Sequence, residues 1–238
     1  MTLLNTSFAP DFDPAAAARI FATEGHLRLN GALPPEQAVA ISRAMDEMAG
    51  WKLTCATGAG STRLDPAEIR DWPVEKRQEL NTALMEAAQK GEGFTYMSRL
   101  LGQERAATGP QAVLEDFNTA LMGPDMVSFV QQLTGKLGLT RTSAQATRFG
   151  PGHYLTRHND APLGEGRQIA FVWGFTRQWH PDWGGLLQFY SDAGEPERAF
   201  APGFNTLDLF TVQKVHAVTY VAPFAGALRS VVSGWYHA

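Results

Sequence analysis

The chain has 238 residues, 44% of them hydrophobic and 18% charged, with a formal net charge of -4. That is enough for one large domain with a sizeable core, and a mildly acidic chain without a dense Lys/Arg run at either end does not suit a nucleic-acid binder held by phosphate contacts. Cys55 is the only cysteine, which excludes an intrachain disulfide, a thiolate zinc site and an iron-sulfur cluster, so any metal must be held by histidine and carboxylate.

The segment Met1-Thr2-Leu3-Leu4-Asn5-Thr6-Ser7 has no basic leader, and no eighteen apolar residues follow one another. A cytoplasmic protein without a membrane partner is the expectation. Asp13-Pro14 opens an alanine-rich helix that runs through Phe21 and stops at Gly25. His26 to Asn30 alternates as a strand does. Pro34-Pro35-Glu36 then launches an amphipathic helix with Ala38, Ile41, Met45 and Met48 facing inward. Trp51 to Cys55 reads as a strand and Gly58 to Thr62 as a Gly/Ser/Thr-rich loop, a candidate lid. Helix formers interrupted by Pro73 fill Pro66 to Gly91, and Phe94 to Met97 is extended. Two further helices are expected over Ala112 to Leu121 and Pro124 to Leu137.

After Thr140 the composition changes to short runs of Val, Phe, Trp, Tyr and Thr punctuated by glycine and proline. Strands are expected over Ala144–Phe149, Tyr154–His158, Gln168–Thr176, Leu186–Tyr190, Thr206–Thr211, Ala217–Val221 and Leu228–Tyr236. This pattern predicts an α+β chain: a double-stranded β-helix, or jelly roll, over 140–238, supported by the mainly helical 1–139, the whole forming one domain. Leu163 to Gly166 is a second candidate lid on composition.

The chemistry centres on His158-Asn159-Asp160. On an extended segment residues two apart point the same way, so His158 and Asp160 can grip one ion. His-x-Asp alone is a weak signal; His216 supplies a third ligand and Arg229 a lone cation. Two imidazoles and a carboxylate on one face of Fe(II) leave three positions open for a chelating cosubstrate and dioxygen. If that cosubstrate is a dicarboxylate 2-oxo acid, its far carboxylate needs a buried cation, and Arg229 offers a bidentate fork. Taken singly, each residue has a plainer reading: a His-Asp hydrogen bond, a satisfied strand histidine, a structural ion pair. Their order and context carry the inference. His153 and His180 are assigned to the rim or surface, Trp173, Trp179 and Trp183 to the core ahead of a peptide groove, and Gly184-Gly185 to a sharp turn.

From Thr147 to His237 the sequence resembles the 2-oxoglutarate and iron(II)-dependent dioxygenases, in the prolyl-hydroxylase-like branch that includes ribosomal-protein prolyl hydroxylases and bacterial relatives. Gly152 to Asp160 looks like that branch's first ligand strand, and Trp183-Gly184-Gly185-Leu186-Leu187 is similar to its Trp-Gly-Gly-x-Leu segment. Lys214-Val215-His216-Ala217-Val218 and the Arg-x-x-x-(Ser/Thr)-x-Trp pattern at Arg229, Ser233 and Trp235 complete the resemblance. It implies Fe(II) held by His158, Asp160 and His216, and 2-oxoglutarate held at its far carboxylate by Arg229 and Ser233, with dioxygen as the second cosubstrate. Relatives often add a tyrosine hydroxyl to this clamp. Here Trp173 and Gly174 stand where it would be sought, which leaves Tyr154 as the candidate.

The resemblance further implies hydroxylation of an unactivated carbon, with a prolyl residue of a protein or peptide substrate, in a ribosomal or translation-factor loop, as the leading target. Retention of Asp160 disfavours halogenation, because related halogenases have a small residue there. A small-molecule hydroxylase and a non-catalytic, cupin-like metal sensor are the alternatives.

Overall fold

The computed structural model describes residues 12–57, 60–103, 108–161 and 166–238. The Asp13 carboxylate accepts from Ala15 N at 2.8 Å and caps α1 (Pro14–Glu24), while Gly25, at φ 69°, ends it by returning its N–H to the Phe21 carbonyl. A left-handed residue just past the last turn is where glycine carries least strain. There follow β1 (His26–Asn30), α2 (Pro35–Glu47), β2 (Lys52–Thr57), β3 (Gly60–Leu64), α3 (Pro66–Arg70), α4 (Val74–Gln89), β4 (Phe94–Leu100), α5 (Pro110–Leu121) and α6 (Pro124–Thr134). The last helix stops at Thr134 instead of Leu137, because Gly135 adopts φ 67° and bonds the Gln131 carbonyl.

The remaining strands are β5 (Arg141–Phe149), β6 (Tyr154–His158), β7 (Arg167–Phe175), β8 (Leu187–Tyr190), β9 (Pro196–Phe200), β10 (Phe204–Thr211), β11 (His216–Val218) and β12 (Arg229–His237). Their order across the sheet is β1-β10-β7-β12-β5-β4-β6-β11-β8-β9, with β2 pairing β4 and β3 pairing β2. All of these pairs are antiparallel, and the sheet curls into the half-barrel of a jelly roll. Two expectations change. Gly60 to Thr62 belong to a strand and not to a loop, while Gly58 lies outside the described residues. Among the expected strands β9 was absent.

Successive residues of one strand point to opposite faces, and here the two faces belong to different clusters. Phe171, Trp173 and Phe175 of β7, Leu207 and Leu209 of β10 and Tyr236 of β12 join Ile41, Met45, Phe117 and Leu121 of the helices. Ala170, Val172, Phe210 and Val231 turn the other way and meet Leu187 and Phe189 across the barrel. Trp173 is fully buried on the helix side, edge-on to Phe117 at 5.6 Å, and so is a core residue. The helices therefore cover the outer face of the sheet and leave its inner face for a site. No helix among the described residues is long and apolar enough to cross a membrane.

Candidate metal centre and cosubstrate cavity

His158 and His216 are direct partners in the β6–β11 ladder, with ring centroids 4.2 Å apart. Asp160 follows β6, and its backbone N–H is fixed by the Val212 carbonyl at 2.8 Å. His158 Nε2 lies 3.5 Å from Asp160 Oδ1, and His216 Nε2 lies 3.5 Å from Oδ2. All three ligand atoms fall within 4.8 Å of one another.

The donor chemistry fits a metal. Nδ1 of His158 lies 2.9 Å from the Thr156 carbonyl and Nδ1 of His216 lies 3.0 Å from the Lys214 carbonyl. A carbonyl only accepts, so each Nδ1 carries the proton and each Nε2 presents a lone pair. Contacts of 3.5 Å are long for hydrogen bonds. They are close to the roughly 3 Å expected between donors at right angles on metal bonds of about 2.1 Å. Burial pushes the His158 imidazole down, but the neighbouring Asp160 carboxylate and the Thr156 carbonyl outweigh it and raise its pKa. Burial also opposes the Asp160 charge, and the two imidazoles outweigh that and hold its carboxyl below the usual range. His216 is lowered to about 4, first by burial and then by the neighbouring His158, and is therefore neutral at physiological pH.

The trio borders a cavity of about 630 Å³. Its metal end is open, since the His158 side chain is 31% exposed. Arg229 lines the inner end at 4% exposure. Its guanidinium stands 5.0 Å from the Phe149 ring and, among the described residues, has no hydrogen-bond partner. Burial lowers its pKa to about 10, with Asp208 opposing that shift and Arg28 adding to it. Gly184 and Gly185 form the expected turn: both have positive φ, and a Cβ at Gly184 would sit 2.0 Å from the Tyr220 carbonyl oxygen. A Cβ at Gly185 would be 3.6 Å from Arg229 Cδ, so the turn packs against the stem of the buried arginine.

Ser233 and Arg229 line the same cavity, as period-two alternation along β12 requires. Tyr154 does not: its hydroxyl donates to the Leu84 carbonyl at 2.7 Å, and it is not among the cavity's lining residues. The reason is a register shift in β6. His216 pairs His158 but Val218 pairs Leu155, so one extra residue sits between them. Such a bulge inverts the alternation, and Leu155 rather than Tyr154 faces the cavity. Tyr96 is a lining tyrosine that the sequence reading missed, and burial raises its pKa. Thr147, whose buried hydroxyl has no partner among the described residues, was missed as well; the alternation of Gln145, Thr147 and Phe149 on β5 could have found it. His153 accepts from Gly150 N at 3.1 Å in a turn, and His180 is exposed. Trp179 and Trp183 stack edge to face at 5.4 Å beside the glycine turn, partly buried and outside the cavity lining. Of the candidate lids, Leu163 to Glu165 lie outside the described residues.

A half-barrel that brings two histidines and an aspartate to one corner, with three positions left for other ligands, is the architecture of a mononuclear non-haem iron oxygenase. Residues 144–237 match the family model described as the 2OG-Fe(II) oxygenase superfamily. Its members are enzymes that work with Fe(II), 2-oxoglutarate and dioxygen, and His158, Asp160 and His216 are suited to hold the iron here. Among solved structures, a prolyl-4-hydroxylase from Pseudomonas putida is similar at TM-score 0.60 and 18% identity, over 94% of this chain and 98% of that one. An oxidoreductase of the 2OG-Fe(II) oxygenase family from Burkholderia pseudomallei gives 0.64 and 14%, over 95% and 92%. A prolyl hydroxylase from Trichoplax adhaerens, in complex with a peptide fragment of a hypoxia-inducible factor, gives 0.62 and 16%, over 94% and 88%. At these identities the likeness is one of fold. None of the curated proteins compared matches the sequence.

Proposed function

We propose that the protein is a single-domain hydroxylase that acts on a prolyl residue of a protein or peptide, with a ribosomal or translation-factor loop as the first candidate substrate. The observation that carries the reading is one cavity with the His158, Asp160 and His216 donors at its open end and, at its inner end, a buried guanidinium that has no hydrogen-bond partner among the described residues. In this reading His158, Asp160 and His216 hold Fe(II), with the Thr156 and Lys214 carbonyls fixing the imidazole tautomers. Arg229 receives the far carboxylate of 2-oxoglutarate and Ser233 donates a further hydrogen bond to it. Bound iron supplies the oxygen chemistry by which 2-oxoglutarate, dioxygen and a C–H bond become succinate, carbon dioxide and a C–OH. The apolar inner wall of Val172, Leu187, Phe210 and Val231 excludes water from the bound acid.

The prolyl assignment draws on the branch-specific sequence motifs and on the fold shared with two prolyl hydroxylases, one of them solved with a peptide. The cavity volume of about 630 Å³ supports a second reading, a small-molecule hydroxylase, since it falls within the range that encloses small ligands. Incubation of the iron-loaded protein with 2-oxoglutarate and a prolyl peptide library, read by mass spectrometry for an added oxygen, tests the proposal. Succinate formation matched by hydroxyproline supports it. Succinate without peptide oxidation turns the search to small molecules, and no succinate at all refutes the enzyme reading in favour of a metal sensor.

A further inference from the structure

A second concavity, of about 530 Å³, lies against the β6–β11 pair. On β11 His216 lines the metal cavity and Ala217 lines this groove, so the groove runs over the opposite, outer face of the same strands. Met85 and Ala88 of α4 border it, and Tyr154, Tyr190 and Tyr220 bring three rings to it. Tyr154 and Tyr220 stack at 6.3 Å, and Tyr220 is 48% exposed. The exposed Arg157 holds its guanidinium 5.5 Å over the Tyr190 ring and donates to the Gly194 carbonyl at 3.3 Å. Among the described residues that line the groove Arg157 carries the only charge, and no described carboxylate pairs with it. The groove and the metal cavity meet: Gly91, Thr156 and Arg157 line both, and Arg157 directly precedes the ligand His158 at the open end.

The backbone beneath this groove is already paired. β6 bonds to β4 and β11, and β11 to β6 and β8, so no strand edge is offered and an occupant must be held through side chains. A polyproline II segment suits such a surface, because it needs no backbone ladder and lays its rings on aromatic ones. From Tyr154 to Arg157 there are three strand steps, about 10 Å, which matches about three residues of that helix. We propose that the groove is a second contact site for a peptide substrate and takes an acidic, proline-rich segment that flanks the target residue. The acidic side chain meets Arg157 beside the metal mouth, and the prolines lie farther out on Tyr154 and Tyr220. The proposal rests on the reading that the substrate is a peptide.

The test is fluorescence anisotropy of labelled peptides made of four repeats of Pro-Pro-Glu, Pro-Pro-Gln or Gly-Ser-Glu, titrated anaerobically with protein loaded with Fe(II) and 2-oxoglutarate. Native protein should bind Pro-Pro-Glu about threefold to fivefold more tightly than Pro-Pro-Gln, the discrimination of an exposed ion pair, and Arg157→Gln should erase that difference. Tyr220→Ala should weaken both proline peptides at least fivefold, as loss of an anchoring ring does. Gly-Ser-Glu should bind least, since a flexible chain loses more freedom on docking. Both replaced side chains are exposed, so the variants should melt with the native protein. No binding of Pro-Pro-Glu by the native protein, equal binding by Tyr220→Ala, or Gly-Ser-Glu bound as tightly, overturns the proposal. Admitting oxygen separates it from the prolyl reading. Hydroxyproline formed with the same KM in native protein and Tyr220→Ala keeps that reading and refutes the groove. Binding that is sensitive to both variants, with no oxygen added to any peptide, supports the groove and counts against prolyl hydroxylation.

Discussion

Replacing Arg229 with methionine should make the metal-free protein more stable and the cosubstrate site useless. Burial lowers the pKa of this guanidinium to about 10. Keeping it protonated inside the fold at neutral pH therefore costs roughly 3 kcal/mol relative to water, at 1.36 kcal/mol for each tenfold change in proton affinity. Methionine has a similar reach, no charge and an unbranched stem that can lie along Phe149 and Gly185. Removing the charge should recover up to that amount, and for a chain of this length the melting temperature should rise by several degrees. Binding should move the other way. Two charge-assisted hydrogen bonds lost from Arg229 to a carboxylate, at about 1.5 kcal/mol or more each, weaken 2-oxoglutarate at least 100-fold. The pair of measurements is a melt of the metal-free protein and a 2-oxoglutarate titration of the iron-loaded one. A lower melting temperature together with unchanged affinity would refute the view that this arginine is held at the expense of stability to meet an anion.

Other perturbations follow from the same geometry. His216 is neutral when folded down to about pH 4, whereas in the unfolded chain it protonates near 6.5. Its contribution to stability is complete above pH 6.5 and is lost as pH falls toward 4, on the order of 3 kcal/mol. The raised His158 pKa offsets part of this, because that histidine binds its proton more tightly when folded. Melts of metal-free protein should therefore fall between pH 6.5 and 4, and the fall should shrink in His216→Gln; an undiminished fall in the variant would show that another group is responsible. Tyr154→Phe should leave 2-oxoglutarate affinity unchanged and lower stability by about 1 kcal/mol through the lost bond to Leu84, as read by titration and by urea denaturation. Gly184→Ala combines a positive φ with a clash against the Tyr220 carbonyl. Its soluble yield and melting temperature should both drop, and a native-like melt would count against a rigid turn.

What the sequence disclosed is the part of the molecule governed by short-range rules. Caps and prolines mark the ends of α1 and α2, and the alternation of Arg229, Val231, Ser233 and Trp235 puts all four on the cavity side of β12. His158, Asp160 and His216 were named from residue type and spacing, and folding brings them together. The misses have physical causes. β3 and β9 are exposed strands, β9 at the end of the sheet order, and they carry no hydrophobic alternation because neither face is buried. Tyr154 is reached only by elimination, as the tyrosine left once Trp173 and Gly174 stand where the clamp hydroxyl would be sought, and a one-residue bulge in β6 turns it away from the cavity. Asp208 and Arg28 meet across 180 residues of sequence, a pairing set by the β1–β10 register and invisible to any local pattern.

The two histidine ligands face each other across adjacent strands, while β7, β8, β9 and β10 all lie in the chain between them. A metal bound there would act as a cross-link that closes a long loop and restricts the unfolded chain, much as a disulfide does. In a protein with a single cysteine, iron held there would take the place that covalent stapling holds elsewhere. Backbone amides of β6 and β11 should then exchange with solvent much faster in protein made under iron starvation, and proteases should find that seam first. Cellular abundance of the enzyme would in that case report iron supply, independently of any turnover.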